Sequence, residues 1–125
     1  MDSIILSSSE TSPAVHFDAA LGRIELSGRS IPEDASAFYF PLLDWLERYS
    51  ESPAPKTQFV FYLEYINSIS QKMLIDIFLK AQKMVKSGQD VNIVWYYDEE
   101  DEEMYEEGSV FRNKLELPME IKIKE

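Results

Sequence analysis

The chain has no cysteine. That absence removes disulfides, thiolate metal sites and cysteine nucleophiles together. Histidine occurs once, as His16 in "AVHF" (14–17). A hydrolase needs a base beside its nucleophile, and this pattern supplies none. His16 reads instead as a strand residue, facing solvent or hydrogen-bonded locally. Positive charge is scarce: 12 Lys and Arg face 23 Asp and Glu, a formal net charge of −11. Nucleic-acid affinity rests on cations that neutralise phosphates, so a nucleic-acid partner is excluded. Anionic membrane surfaces are disfavoured on the same ground. A protein partner with a basic patch would be steered toward the chain.

Other features are missing too. "GRIELSG" is neither GxGxxG nor GxxxxGK[ST], so the usual nucleotide-binding loops are absent. No stretch is long and apolar enough to span a bilayer. The start, "MDSIILSSSETSP", lacks the basic opening and apolar core of a signal peptide. A cytoplasmic protein without a cofactor is the expectation.

What is present is core material. Hydrophobic residues make up 45% and aromatics 13% of 125 residues, enough for one domain spanning 1–125. Residues 1–12, rich in Ser and Thr, are expected to be flexible. "AVHF" (14–17) and "RIELSG" (23–28) suggest an antiparallel hairpin, with Gly22 in the turn. "SIPEDAS" (30–36) carries helix-start signals, Pro32 then Glu33 and Asp34. Phe38, Leu42, Leu43, Trp45, Leu46 and Tyr49 follow at helical spacing. Pro41 implies a kink, or a helix starting near Phe40.

"TQFVFYLEY" (57–65) is β-branched and aromatic, a strand. Residues 68–87 form a second helix, with Ile69, Met73, Ile77, Ala81 and Val85 along one face. "VNIVWYY" (91–97) reads as a central strand buried on both faces. Residues 98–116 read as a third helix, interrupted or weakened at Gly108. "PMEIKIK" (118–124) alternates as an edge strand does. The order β-β-α-β-α-β-α-β predicts an α/β fold, a small mixed sheet with packed helices and right-handed crossovers.

Two features carry candidate chemistry. The first is the acidic run Asp98, Glu99, Glu100, Asp101, Glu102, Glu103, Glu106 and Glu107. Carboxylates bind hard cations, so a small metal-binding or enzymatic domain built on this run and His16 is one reading. An EF-hand loop, however, needs glycine at its sixth position, where Glu103 stands. Paired-carboxylate glycoside chemistry needs two carboxyls across a cleft, which one helix does not give. The competing readings are a solvated helix start, with anions at the positive dipole end, and a docking surface for a basic partner.

The second is "YINSISQKMLIDIF" (65–78), where a strand runs straight into a helix. With Ser68 as N-cap, Gln71 sits at N3 and "SISQ" is a capping box, worth roughly 1 kcal/mol and needing no function. Asn67 is an equally good cap in a shifted frame, which puts Ser68 on the first turn. The same helix end also tolerates an anion, since it presents free amides and a positive partial charge. A phosphoserine would add roughly −1.5 to −2 charge there, with Lys72 one turn along. A partner docked against that end would lose affinity. A penalty of roughly 3–4 kcal/mol corresponds to a hundredfold to thousandfold.

At these residues the sequence resembles the SiaC family of bacterial regulatory phosphoproteins. The likeness runs through "TSPAV", "GRSIPEDASAFYFPLLDWLERY", "YINSISQKMLIDIF" and "VWYYDEEDEEM". "LDWLERY" and "WYYD" followed by acids are its most specific blocks. The resemblance implies a fold similar to the STAS domains of anti-sigma-factor antagonists. In those, a hydroxyl at a helix N-terminus is phosphorylated by a dedicated kinase and freed by a PP2C-type phosphatase. It also implies a non-catalytic partner switch, whose unphosphorylated form binds and activates an effector, in some members a diguanylate cyclase. The phosphorylated hydroxyl falls on Ser68, where well-matched relatives carry threonine; Ser70 is the runner-up. Asn67, Gln71 and Lys72 would edge the docking surface. Tyr96 and Tyr97 end the next parallel strand, which is expected to bring them near Ser68 as candidate partner contacts, with sheet and helix packing as the competing reading.

Overall fold

The computed structural model describes residues 1–125. Alternation of apolar and polar residues sets β2 (Ala14–Asp18) and β3 (Arg23–Ser30), antiparallel partners with Val15 opposite Leu26 and Phe17 opposite Ile24. The turn between them is tight. Asp18 Oδ1 accepts from the Leu21 N–H at 3.0 Å, and Gly22 has φ 66°. A side chain at Gly22 would place Cβ 2.1 Å from the Lys56 carbonyl oxygen, so the turn requires glycine.

The N-terminal segment differs from expectation. Residues Ile4–Leu6 form β1, paired antiparallel with β2, Ile4 opposite Phe17. The outer edge of β2 offers unpaired backbone groups, and three apolar residues suffice to take them. Trp45 Nε1–H donates to the Asp2 carbonyl at 2.8 Å, fixing the strand to a helix. The serine-rich link after β1 is a turn, with Ser9 Oγ accepting from the Ser12 N–H at 3.0 Å.

The remaining chain repeats one unit. α1 (Ala35–Glu51), β4 (Thr57–Ile66), α2 (Ser68–Lys86), β5 (Val91–Tyr97), α3 (Glu102–Leu115) and β6 (Met119–Ile123) follow in turn. The sheet has six strands in the order β1-β2-β3-β4-β5-β6, with β3 to β6 parallel. Each crossover moves one strand in the same direction, so the right-handed rule sends all three helices to one face. Phe59, Phe61, Leu63, Ile93 and Trp95 project into that layer and meet Leu42, Leu46, Leu74, Phe78 and Phe111. The opposite face carries His16, Glu25, Val60, Tyr62 and Tyr96 and has no helix over it. The reading of β5 as buried on both faces holds at its centre, where the consecutive residues Ile93, Val94 and Trp95 are all buried although no helix lies over the side that Val94 faces; further along, Tyr96 on that side is half-buried.

Two helices also correct the sequence reading. α1 starts at Ala35, capped by Asp34 Oδ1 accepting from the Ala37 N–H at 3.1 Å, and runs through Pro41. Pro41 lies on the exposed side, where water can serve the carbonyl that loses its bond. α3 begins at Glu102, with Asp101 as N-cap, and passes through Gly108 unbroken. Gly108 is buried, and a Cβ there would lie 2.5 Å from Trp95 Cδ1. Its role is close approach of the helix to the sheet, and the helix is not interrupted there.

Candidate functional site at the first turn of α2

One residue, Asn67, joins the end of β4 to the start of α2. Ile66 still pairs with Ser30 of β3, and the Asn67 N–H donates to the Ser30 carbonyl at 3.1 Å. Asn67 is extended, φ −83° and ψ 172°, and its Oδ1 accepts from the Ser70 N–H at 2.9 Å. Asn67 is therefore the N-cap, and the capping box from Ser68 to Gln71 does not form. The Gln71 N–H donates to the Asn67 carbonyl at 3.0 Å, and its side chain donates to Glu107 of α3. The sheet decides the frame, because Asn67 is held to Ser30 before the helix begins.

That frame sets Ser68 as the first helical residue, exposed, with exposed Ile69 after it. Helix geometry leaves the N–H groups of Ser68 and Ile69 without intrahelical acceptors, at the positive end of the dipole. Lys72 is exposed one turn along. The runner-up hydroxyl has the opposite environment. Ser70 is 0% exposed, and its Oγ donates to the Ser30 carbonyl at 2.9 Å. Its place in the interior closes it to a kinase in this conformation.

Ser30 and Tyr39 were not singled out by the sequence. Both are fully buried beneath this turn. The Ser30 hydroxyl donates to Ser70 Oγ at 2.7 Å and lies 2.5 Å from the Tyr39 hydroxyl. Burial, partly offset by the two serine hydrogen bonds, pushes the Tyr39 phenol above its ordinary pKa. No local pattern joins residues so far apart in the chain; only the β3–β4 register brings them together.

The two tyrosines of β5 part company. Tyr97 projects to the helix side and packs edge-on against Tyr105 of α3, ring centroids 5.2 Å apart. Tyr96 projects to the open face beside Tyr62, with Lys124 Nζ 5.2 Å from its ring centre. Tyr96 and the α2 start thus lie on opposite sides of the sheet, which corrects its placement beside Ser68. His16 shares the open face, its Nδ1 3.7 Å from Glu25 Oε2, away from any serine of α2.

The acidic run divides its carboxylates among separate tasks. Asp98 Oδ1 accepts from the Tyr62 hydroxyl at 2.6 Å, which raises the Tyr62 pKa. Asp101 caps α3, accepting from the Met104 N–H at 3.1 Å. Glu102 and Glu103 occupy the first turn of α3, at its positive end. No three His, Asp or Glu side chains converge where they could hold a metal ion. Glu64, Asp101, Glu103 and Glu107 line a groove of about 220 Å³ between the starts of α2 and α3, with Tyr65 and Met104 among them.

A model of the SiaC family regulatory phosphoproteins matches residues 6–124. The chain belongs to the SiaC family. An uncharacterized protein of Pseudomonas aeruginosa (strain UCBPP-PA14) is 26% identical over 121 residues, covering 97% of this chain and 96% of that one. The crystal structure of apo-SiaC from Pseudomonas aeruginosa superposes with a TM-score of 0.91 at 25% identity, over 98% of this chain and 99% of that one. The SiaC fold also recurs in a crystal structure of the diguanylate cyclase SiaD in complex with its activator SiaC, from the same organism. There the TM-score is 0.91 at 26% identity, over 97% of this chain and 99% of that one. A regulatory protein is thus the class to which the chain belongs, and no helix is long and apolar enough to cross a membrane.

Proposed function

We propose that this SiaC-family protein is a cytoplasmic, non-catalytic partner switch whose state is set by a phosphoryl group on Ser68. A protein kinase adds the group, a PP2C-type phosphatase removes it, and the unphosphorylated form binds and activates a diguanylate cyclase. The observation that carries the reading is the exposed Ser68 hydroxyl on the first turn of a long helix, beside two amides that geometry leaves free. A dianion at that spot is stabilised by the helix dipole, so the fold accepts it.

The surroundings give the added charge its consequence. Tyr65 and Ile69 flank the serine at 55% and 53% exposure, an apolar surface suited to docking. Glu64, Glu103 and Glu107 make the adjoining groove anionic. A phosphoryl group here forces a docked apolar surface to desolvate a dianion, or to meet it beside existing carboxylates. Asn67, Gln71 and Lys72 border that surface, and the SiaD complex supports a cyclase as the effector class. The test is mass spectrometry of protein purified from its native host, with pull-down of the effector by Ser68→Ala and Ser68→Asp. Phosphate on Ser68 and loss of the effector by Ser68→Asp alone is the expected result. Phosphate only at other residues, or equal capture by both variants, would sink the reading.

A further inference from the structure

Ser30 is the hub of the buried hydroxyls under the α2 start. Its one hydroxyl proton goes to Ser70 Oγ at 2.7 Å, so Tyr39 must be the donor in the 2.5 Å contact with Ser30 Oγ. Ser70 returns its proton to the Ser30 carbonyl at 2.9 Å, and the same carbonyl accepts from the Asn67 N–H at 3.1 Å. The chain Tyr39–Ser30–Ser70 thus links α1, β3 and α2 with every hydroxyl proton in use. All three residues are 0% exposed. In such surroundings a hydroxyl that loses its partner is costly, so the bonds hold or fail together.

The placement of this chain matters because it brackets Ser68. Asn67 is fixed to Ser30 on one side of it, and Ser70 is fixed to Ser30 on the other. We propose that the Tyr39–Ser30–Ser70 hydroxyl chain is a positioning device that selects Ser68 as the phosphoacceptor, holding its turn for transfer while withholding Ser70. The inference rests on the reading of Ser68 as the modified hydroxyl. In the transfer, Ser68 Oγ forms an O–P bond to the γ-phosphoryl of a nucleoside triphosphate bound by the kinase. The bond to the departing nucleoside diphosphate breaks, and the serine proton passes to a base of the kinase. Such in-line attack is sensitive to misplacement of the oxygen by about 1 Å. The Ser70 hydroxyl, by contrast, would have to leave two hydrogen bonds and the interior before it could react.

Tyr49 provides a matched control. Its hydroxyl is also buried, bonded to Thr57 Oγ1 at 2.6 Å and accepting from the Ala54 N–H at 3.1 Å, but at the other end of β4. Tyr39→Phe and Tyr49→Phe each delete one buried phenol oxygen and keep the ring. Two readouts separate them: amide hydrogen exchange at Ser70 and Gln71, and site-resolved phosphate in protein purified from the native host. Tyr39→Phe is expected to speed exchange at those two amides roughly tenfold and to lower Ser68 occupancy severalfold. Ser30→Ala should do the same, and Tyr49→Phe should leave both readouts at the wild-type level. Equal effects of the two tyrosine variants, or none from Tyr39→Phe and Ser30→Ala, would overturn the positioning role while leaving Ser68 as the site. Wild-type protein with no phosphate on Ser68 would overturn the site, and the selection with it.

Discussion

A methyl group on Gly108 would stand 2.5 Å from Trp95 Cδ1 and 2.6 Å from its Nε1. Trp95 is held from the other side by Phe61 and donates from Nε1 to the Met104 carbonyl at 3.0 Å, so the ring has nowhere to retreat. Gly108→Ala should therefore destabilise the protein by about 1–3 kcal/mol, read from the denaturant midpoint. Helix propensity alone predicts the opposite sign, a gain of up to about 1 kcal/mol. Tyr39 gives a second residue-scale expectation. Burial is the larger cause of its raised pKa, so the folded state keeps the proton to higher pH than the unfolded chain does. Its contribution is complete below about pH 10 and is lost as pH rises from there through the folded value. Stability of Tyr39→Phe should fall less steeply than wild type in alkaline titrations. Identical alkaline slopes would show that the phenol is not held neutral by the fold.

At the scale of elements, long periodic segments were legible and short or tertiary features were not. β4 and β5 carry dense β-branched and aromatic runs, and α2 keeps an apolar face over five turns, so pattern alone located them. β1 was hidden because three apolar residues among serines have no period; the free edge of β2 makes the strand. The start of α2 was ambiguous by one residue because Asn67 and Ser68 both make good caps. What resolves it is the Asn67 N–H bond to Ser30, a contact no local pattern encodes. Asn67→Ala should accordingly cost about 1 kcal/mol, while Ser68→Ala should stay within about 0.5 kcal/mol of wild type by thermal or denaturant unfolding. A larger loss at Ser68 than at Asn67 would return the cap to the serine.

For the whole molecule, the one-sided helix layer separates two surfaces. The open sheet face holds His16, Tyr62 and Tyr96, and the C-terminal edge of the parallel strands holds Ser68 between exposed Tyr65 and Ile69. Sequence placed Ser68, Asn67 and Lys72 together because they share one helix start. It misplaced Tyr96 because strand alternation fixes a side but does not say which side the helices cover. The dispersed carboxylates of residues 98–107 lead to a further expectation: calorimetric titration with calcium or magnesium at moderate ionic strength should give no stoichiometric binding. A tight one-to-one isotherm would revive a metal site. The proposed switch depends on what a phosphoryl group at Ser68 does to partner choice. The most direct measurement is the affinity of unmodified and Ser68-phosphorylated protein for the proposed effector, a diguanylate cyclase from the same host. A loss of about a hundredfold to a thousandfold on phosphorylation is predicted, with folding unchanged; equal affinity of the two forms would contradict it.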